Sequence, residues 1–169
     1  MMMRLPGKPL RAPTLGLMVA LGILLIDQAS KWMLLEMAGF AETPRIIPVL
    51  PFCNIVLVWN RGVSFGMFSG AEQAMPYALS ILALIIMTIL MRWLLRTIRP
   101  YLGVLLGLVL GGAIGNVIDR LRFGAVVDFA DFHVAGWHWP AFNVADAAIS
   151  IGVALLLIDS LIPAKDKTP

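Results

Sequence analysis

Four long apolar runs constrain the fold of this chain more than any other feature. They cover residues 12–34, 74–95, 101–118 and 142–162. Because the hydrocarbon core of a bilayer is about 30 Å thick, a helix of about 20 apolar residues spans it. We therefore predict an all-α membrane protein with four transmembrane helices. One membrane-embedded domain would occupy residues 12–162, between cytoplasmic tails at 1–11 and 163–169.

Composition excludes an ordinary soluble domain. The chain is 60% hydrophobic and 14% charged, whereas soluble domains are about half apolar and about a quarter charged. The formal charge of +3 does not indicate nucleic-acid binding, because the basic residues stand in short groups beside the apolar runs and not along one polar face. The single Cys53 cannot form an internal disulfide.

The basic groups indicate how the helices are oriented. They are Arg4, Lys8, Arg11, Arg92, Arg96, Arg99, Lys165 and Lys167. Since Lys and Arg are enriched in cytoplasmic loops, both termini are predicted inside and the segments 36–73 and 119–141 outside. Residues 46–59 are rich in Ile, Val and Leu and broken by prolines, which predicts a small outer sheet. Trp137 and Trp139 are typical of anchors at the headgroup boundary.

Glycines recur every four residues along the third apolar run. Gly103, Gly107, Gly111 and Gly115 therefore share one stripe of a helix. Small residues on such a stripe let another backbone approach closely. The third helix is predicted to be the packed centre of the bundle.

Charged residues also occur inside the predicted spans, where each costs about 2.5–3.5 kcal/mol. Asp27 and Lys31 are four residues apart, so they share a helix face and are predicted to form a structural ion pair. Asn116, Asp119 and Arg120 form a polar group at the outer end of the third run. The guanidinium of Arg120 suits either holding the fold or holding substrate.

Two further carboxylates are candidates for chemistry. Asp128 lies in an apolar stretch without a basic neighbour, and Asp146 begins the fourth run three residues after Asn143. If the second outer segment folds back on the bundle, these two acids meet at its outer edge. Two carboxylates that share one site cannot both ionise easily, so one keeps its proton and the other acts as a base. This pair predicts an aspartic peptidase, and the sequence does not say which acid is protonated.

Other chemistries fit the sequence less well. His133 and His138 lie in a segment interpreted as a loop and have no helical HExxH spacing, so no metal is predicted. Ser64 and Ser150 have no recognisable His partner, and no phosphate loop is present. The alternative function is a small polytopic transporter or ion-coupling subunit. Such a pathway needs polar groups at successive depths, whereas the inner halves of the runs are nearly free of charge.

Five motifs occur in an order that resembles the bacterial lipoprotein signal peptidases, also called signal peptidase II or prolipoprotein signal peptidases. They are DQASK from Asp27, NRGVSFG from Asn60, GGAIGNVIDR from Gly111, VVDF from Val126 and FNVAD from Phe142. One departure is Val63 and Ser64, where many members of the family have two alanines. This change would alter the lining of a pocket and not the chemistry.

The resemblance implies an aspartic endopeptidase of the bacterial inner membrane, with its site near the periplasmic face. It would remove signal peptides from prolipoproteins by cutting on the N-terminal side of a diacylglyceryl-modified Cys. The implied catalytic pair is Asp128 and Asp146. The implied substrate-binding or supporting residues are Asn60, Gly62, Asn116, Arg120 and Asn143, and the implied structural polar residues are Asp27, Lys31 and Asp119.

The family also implies a fold and a set of partners. The fold has four transmembrane helices, a small periplasmic β-sheet cradle and a short outer helix. The partners are diacylglyceryl-modified prolipoproteins, membrane lipid and globomycin-type inhibitors, without nucleic acid, metal or organic cofactor. A monomer is expected, although the sequence itself leaves the oligomeric state open.

Overall fold

A computed structural model describes residues 11–43, 45–62 and 74–162. Its helices are α1 (Ala12–Trp32), α2 (Met75–Arg96), α3 (Pro100–Phe123) and α4 (Val144–Leu161). The first continues directly into a π-helical turn, Met33–Met37. Each of the four is long and apolar enough to cross a bilayer. The predicted set of four membrane-spanning helices is confirmed for the described residues.

The third helix is the centre of the bundle, as predicted. It packs against α1, α2 and α4, and more than half of its residues are buried. A Cβ added to three glycines of its stripe would lie less than 3.0 Å from a carbonyl oxygen of α1. The pairs are Gly103 with Ala12, Gly107 with Gly16, and Gly111 with Ala20. The fourth glycine, Gly115, leaves room for the carboxylate of Asp27.

Two helix ends differ from the apolar runs. Helix α3 continues beyond residue 118 to Phe123 and ends at Gly124, which has a φ of 68°. Hydropathy marks where a helix leaves the hydrocarbon, whereas a left-handed glycine marks where the helix stops. Helix α4 begins at Val144, because Asn143 has extended backbone and caps it.

The outer segments form a four-stranded antiparallel sheet in the order β1-β2-β3-β4. The first segment supplies β1 (Ile47–Leu50) and β2 (Cys53–Asn60), as predicted. The second supplies β3 (Val126–Val134) and β4 (Trp137–His138). The interpretation of this second segment as a loop is therefore wrong. The apolar stretch around Asp128 becomes a strand because β2, which is distant in sequence, pairs with it.

Some expectations concern residues that the structure does not describe. These include Val63, Ser64, residues 1–10 and residues 163–169. In the described parts of the two outer segments, 38–43, 45–62 and 124–143, there is no separate outer helix.

Candidate active site

Asp128 lies near the start of β3, the strand that follows α3 in the chain. Its side chain is only 1% exposed. The Asn143 amide donates to its Oδ1 at 2.7 Å and the Asn60 amide to its Oδ2 at 2.9 Å. Burial is the main reason that the pKa of Asp128 rises to about 7. The hydrogen bond from Asn60 opposes this rise, and the negative charge of Asp146 adds to it.

The orientation of Asn60 is set by a local turn at the end of β2. The backbone N–H of Gly62 donates to Asn60 Oδ1 at 2.9 Å. Because the oxygen of the amide is held there, its Nδ2 faces Asp128. Gly62 has a φ of 83°, which a residue with a side chain rarely adopts. The hydrogen bond from Gly62 therefore orients the Asn60 amide so that its Nδ2 donates to the Asp128 carboxylate.

Asp146 lies in the first turn of α4 and is half-buried. It forms a capping box with Asn143, whose Oδ1 accepts from the Asp146 N–H at 2.9 Å. Asp146 Oδ2 accepts in return from the Asn143 N–H at 3.3 Å. The Asn116 amide donates to Asp146 Oδ1 at 2.8 Å. The carboxylate of Asp146 thus accepts two hydrogen bonds at the N-terminus of α4.

Asn143 connects the two acids. Its Nδ2 donates to Asp128 Oδ1, and also lies 3.3 Å from Asn116 Oδ1. Its backbone and side-chain oxygen belong to the capping box with Asp146. The second outer segment thus folds back on the bundle, and Asp128 and Asp146 belong to one hydrogen-bond network, as the sequence predicted. Their catalytic role remains a prediction.

A buried cation lies beneath this network. Lys31 Nζ is 2.8 Å from Asp27 Oδ2 and 2.7 Å from Asp119 Oδ2. All three side chains are almost fully buried. The predicted contact between Asp27 and Lys31 is present, but a third charge, Asp119 from α3, completes it. Since α1 and α3 meet along the glycine stripe, this contact depends on helix packing that local spacing does not reveal.

Gln28 belongs to the same cluster, although the sequence analysis did not single it out. Its Nε2 is 3.1 Å from Asp27 Oδ2 and 3.0 Å from Asp119 Oδ1. It also approaches the carbonyl oxygen of Gly115 at 3.4 Å. An uncharged polar residue between Asp27 and Lys31 in an apolar run was the signal that could have identified it.

Arg120 lies on α3, one turn beyond Asn116. Its Nη1 is 3.5 Å from the Asn116 carbonyl oxygen. Its Nε is buried and has no hydrogen-bond partner among the described residues. Asp146, Asp119 and Asp128 lie close enough to act on its charge. The guanidinium therefore stands beside the two acids with an unused donor.

The two histidines lie apart from this network, on the β3–β4 hairpin. His138 Nδ1 is 2.8 Å from Asp131 Oδ1, and Asn54 Nδ2 donates to Asp131 Oδ2 at 2.9 Å. The His133 and His138 rings stack with centroids 5.0 Å apart. Over residues 11–43, 45–62 and 74–162, no group of three His, Cys, Asp or Glu side chains is arranged to hold a metal ion.

Comparison with known proteins identifies the family. The model of the family described as signal peptidase (SPase) II matches residues 19–162. The lipoprotein signal peptidase of Anaplasma phagocytophilum (strain HZ) is 39% identical over 148 residues, which cover 88% of this chain and 92% of that protein. The lipoprotein signal peptidase of Paraburkholderia phymatum is 43% identical over 153 residues, covering 89% of this chain and 88% of that protein.

Two solved structures have the same fold, and both are described as bacterial membrane enzymes. One has a TM-score of 0.74 and 31% identity, covering 86% of this chain and 92% of the other. The second has a TM-score of 0.73 and 30% identity, covering 90% of this chain and 91% of the other. The family match begins within α1, covers α2, α3 and α4 and both candidate acids, and places the chain among peptidases and not among transporters. This chain belongs to the signal peptidase II family.

Proposed function

We propose that this chain is an aspartic endopeptidase that cuts prolipoproteins on the N-terminal side of the diacylglyceryl-modified Cys. Membership of the signal peptidase II family already makes it a membrane-bound protease that removes signal peptides from lipoproteins. The aspartic mechanism and the position of the cut are finer claims than family membership supports. They are supported by the surroundings of Asp128 and Asp146 and by the resemblance of the sequence motifs.

The observation that carries this function is the contrast between the two acids. Burial raises the pKa of Asp128 to about 7, so this carboxyl holds a proton in a large fraction of molecules at neutral pH. Asp146 is more exposed and lies at a helix N-terminus, where a negative charge is favoured. A proton donor and a base are thus available in one network, which is the requirement for general acid–base hydrolysis.

The reaction follows from these assignments. Ionised Asp146 takes a proton from a water as its oxygen attacks the scissile carbonyl carbon. Protonated Asp128 donates a hydrogen bond to the carbonyl oxygen as negative charge develops there. The tetrahedral intermediate collapses, the C–N bond breaks, and the amine leaves with the proton that Asp146 had taken. Both acids then return to their starting protonation states.

Arg120 is proposed to hold the substrate peptide. Its buried Nε–H has no hydrogen-bond partner among the described residues, and an unsatisfied buried donor is costly. A substrate carbonyl oxygen would satisfy it. We therefore favour substrate binding as the role of Arg120, while its Nη1 lies 3.5 Å from the Asn116 carbonyl oxygen of α3.

The site is proposed to face the periplasm. Both acids lie where the sheet joins the outer ends of α3 and α4, at the edge of the apolar spans. Lipid chains of the substrate would stay in the bilayer while its peptide crosses this edge. Membrane lipid and diacylglyceryl-modified prolipoproteins are therefore the proposed partners.

The decisive experiment measures cleavage of a diacylglyceryl-modified prolipoprotein by purified variants. Asp128→Asn and Asp146→Asn keep the size of each side chain but remove the proton exchange, so kcat should fall by about 10²- to 10⁴-fold. The double variant should be hardly slower than either single variant, because members of one catalytic unit are non-additive. Asp131→Asn is the matched control, since Asp131 lies on the same strand but bonds Asn54 and His138. It should cleave within about twofold of the parent.

A well-folded Asp128→Asn or Asp146→Asn protein that cleaves near the parent rate would exclude the aspartic mechanism. Loss of activity in all three variants alike would point to a general effect on the outer sheet and would equally contradict the assignment.

A further inference from the structure

Two other buried acids, Asp119 and Asp27, accept hydrogen bonds from the backbone next to the two candidate catalytic acids. The backbone N–H of Val127, directly before Asp128, donates to Asp119 Oδ2 at 3.1 Å. The backbone N–H of Ala145, directly before Asp146, donates to Asp27 Oδ1 at 3.0 Å. Each bond lies one residue away from an acid that is proposed to react.

One side chain joins these two anchors. Lys31 Nζ contacts Oδ2 of Asp27 and Oδ2 of Asp119. Gln28 Nε2 makes a second bridge between the same carboxylates. The segments carrying Asp128 and Asp146 are therefore connected through one buried cluster, in addition to their own bond through Asn143.

We propose that Asp27 and Asp119, joined by Lys31, are positioning residues that fix the spacing between the two catalytic carboxylates. This inference rests on the proposed aspartic mechanism. Neither residue touches the reacting atoms. Each holds the backbone of a different element, Asp119 the strand β3 and Asp27 the helix α4, so that both carboxylates face one water.

Two physical considerations favour positioning over simple stabilisation. Buried ion pairs are often no more stabilising than apolar residues of similar volume, so stability alone does not account for three buried charges. Hydrogen bonds that an ionised carboxylate accepts are about twice as strong as neutral ones, which suits a backbone that must not shift. A displacement of about 1 Å in a reacting group costs on the order of 10²-fold in rate.

Asp119 allows a matched test. Asp119→Asn and Asp119→Leu remove the same charge, have similar size and leave Lys31 paired with Asp27. Only Asn keeps an oxygen that accepts from the Val127 N–H. With a diacylglyceryl-modified prolipoprotein as substrate, Asp119→Asn should lose less than about tenfold in kcat. Asp119→Leu should lose about 10²-fold, with KM within about twofold and a shifted pH profile.

Asp27 provides the second arm of the test. Asp27→Asn keeps an acceptor for the Ala145 N–H, Asp27→Leu does not, and both leave Lys31 paired with Asp119. The same difference in kcat is expected. If a Leu variant does not fold, its Asn partner decides the outcome, because the proposal requires the retained oxygen to preserve most of the activity.

Equal kcat values for folded Asn and Leu variants would overturn the proposal, as would a loss confined to KM or to thermal stability. An Asn variant as inactive as Asp128→Asn would overturn it too. These outcomes are distinct from failure of the proposed function, in which Asp128→Asn and Asp146→Asn themselves remain active.

Discussion

Asp128 and Asp146 have different surroundings, although both are carboxylates in one network. Asp128 is fully buried on a strand and accepts bonds from two asparagine amides. Asp146 is half-buried at the start of a helix. Burial favours the neutral form of an acid, and a helix N-terminus favours the charged form. The different roles proposed for the two residues thus correspond to the different elements that carry them.

The pH dependence of cleavage should report the proton on Asp128. The pKa of Asp128 is about 7, and this acid must be protonated, so activity should decline as pH rises through about 7. Asn60→Leu removes the hydrogen bond that lowers this pKa. The pKa should rise, and the alkaline limb of kcat against pH should move to higher pH.

Asn54 supplies the control for that measurement. It lies on the same strand as Asn60, but its amide bonds Asp131. Asn54→Leu should leave the alkaline limb at the position of the parent protein. A limb that Asn60→Leu leaves in place or moves to lower pH would show that Asp128 does not govern it. Because the two acids interact, the limb reports an apparent pKa of the pair, and its displacement by Asn60→Leu would identify Asp128 as the acid whose pKa was changed.

At the scale of elements, the contact between α1 and α3 fixes the position of the buried polar cluster. Glycines of α3 lie against carbonyl oxygens of α1, and this approach brings Lys31 of α1 to Asp119 of α3. A side chain at any of these glycines would separate the helices. The polar cluster therefore depends on the close packing of α1 against the glycines of α3.

Gly107→Ala should test this contact. The added Cβ would lie less than 3.0 Å from the Gly16 carbonyl oxygen, and an overpacked core typically loses about 1–3 kcal/mol. The free energy of unfolding in detergent should fall by that amount, and cleavage should decline as α1 shifts. Gly22→Ala is the control, since nothing lies within 4 Å of its added Cβ. It should be neutral or stabilising by about 0.5–1 kcal/mol.

The sequence predicts those elements whose signals are local. Apolar length predicts the four helices, and a four-residue repeat predicts the glycine stripe, because both patterns repeat within one segment. The strand β3 was not predicted, because its partner is more than sixty residues earlier in the chain. The ion pair between Lys31 and Asp119 was not predicted for the same reason, because the two residues lie on different helices. Contacts between distant segments set the geometry of the site, whereas its residue types are visible in the motifs.

For the whole molecule, charge and packing predict one orientation in the membrane. Arg92, Arg96 and Arg99 lie at the end of α2 and in the turn before α3, whereas the sheet joins the opposite end of α3. Helix α3 has 24 residues, a length of about 36 Å at about 1.5 Å per residue. We therefore expect the turn and the sheet to lie on opposite sides of a bilayer. The positive-inside rule assigns the turn to the cytoplasm.

Single cysteines can test this orientation, because Cys53 is the only native cysteine and can be replaced by Ala. Ile98 in the α2–α3 turn is 91% exposed, and Val134 in the outer hairpin is 70% exposed. A membrane-impermeant maleimide should label Val134→Cys in intact spheroplasts. Ile98→Cys should react only after the membrane is broken, since it would lie in the cytoplasm. The reverse pattern would put Asp128 and Asp146 on the cytoplasmic side. A translocated prolipoprotein could not reach them there, and the proposed site of processing would be excluded even if purified protein still cleaved the substrate.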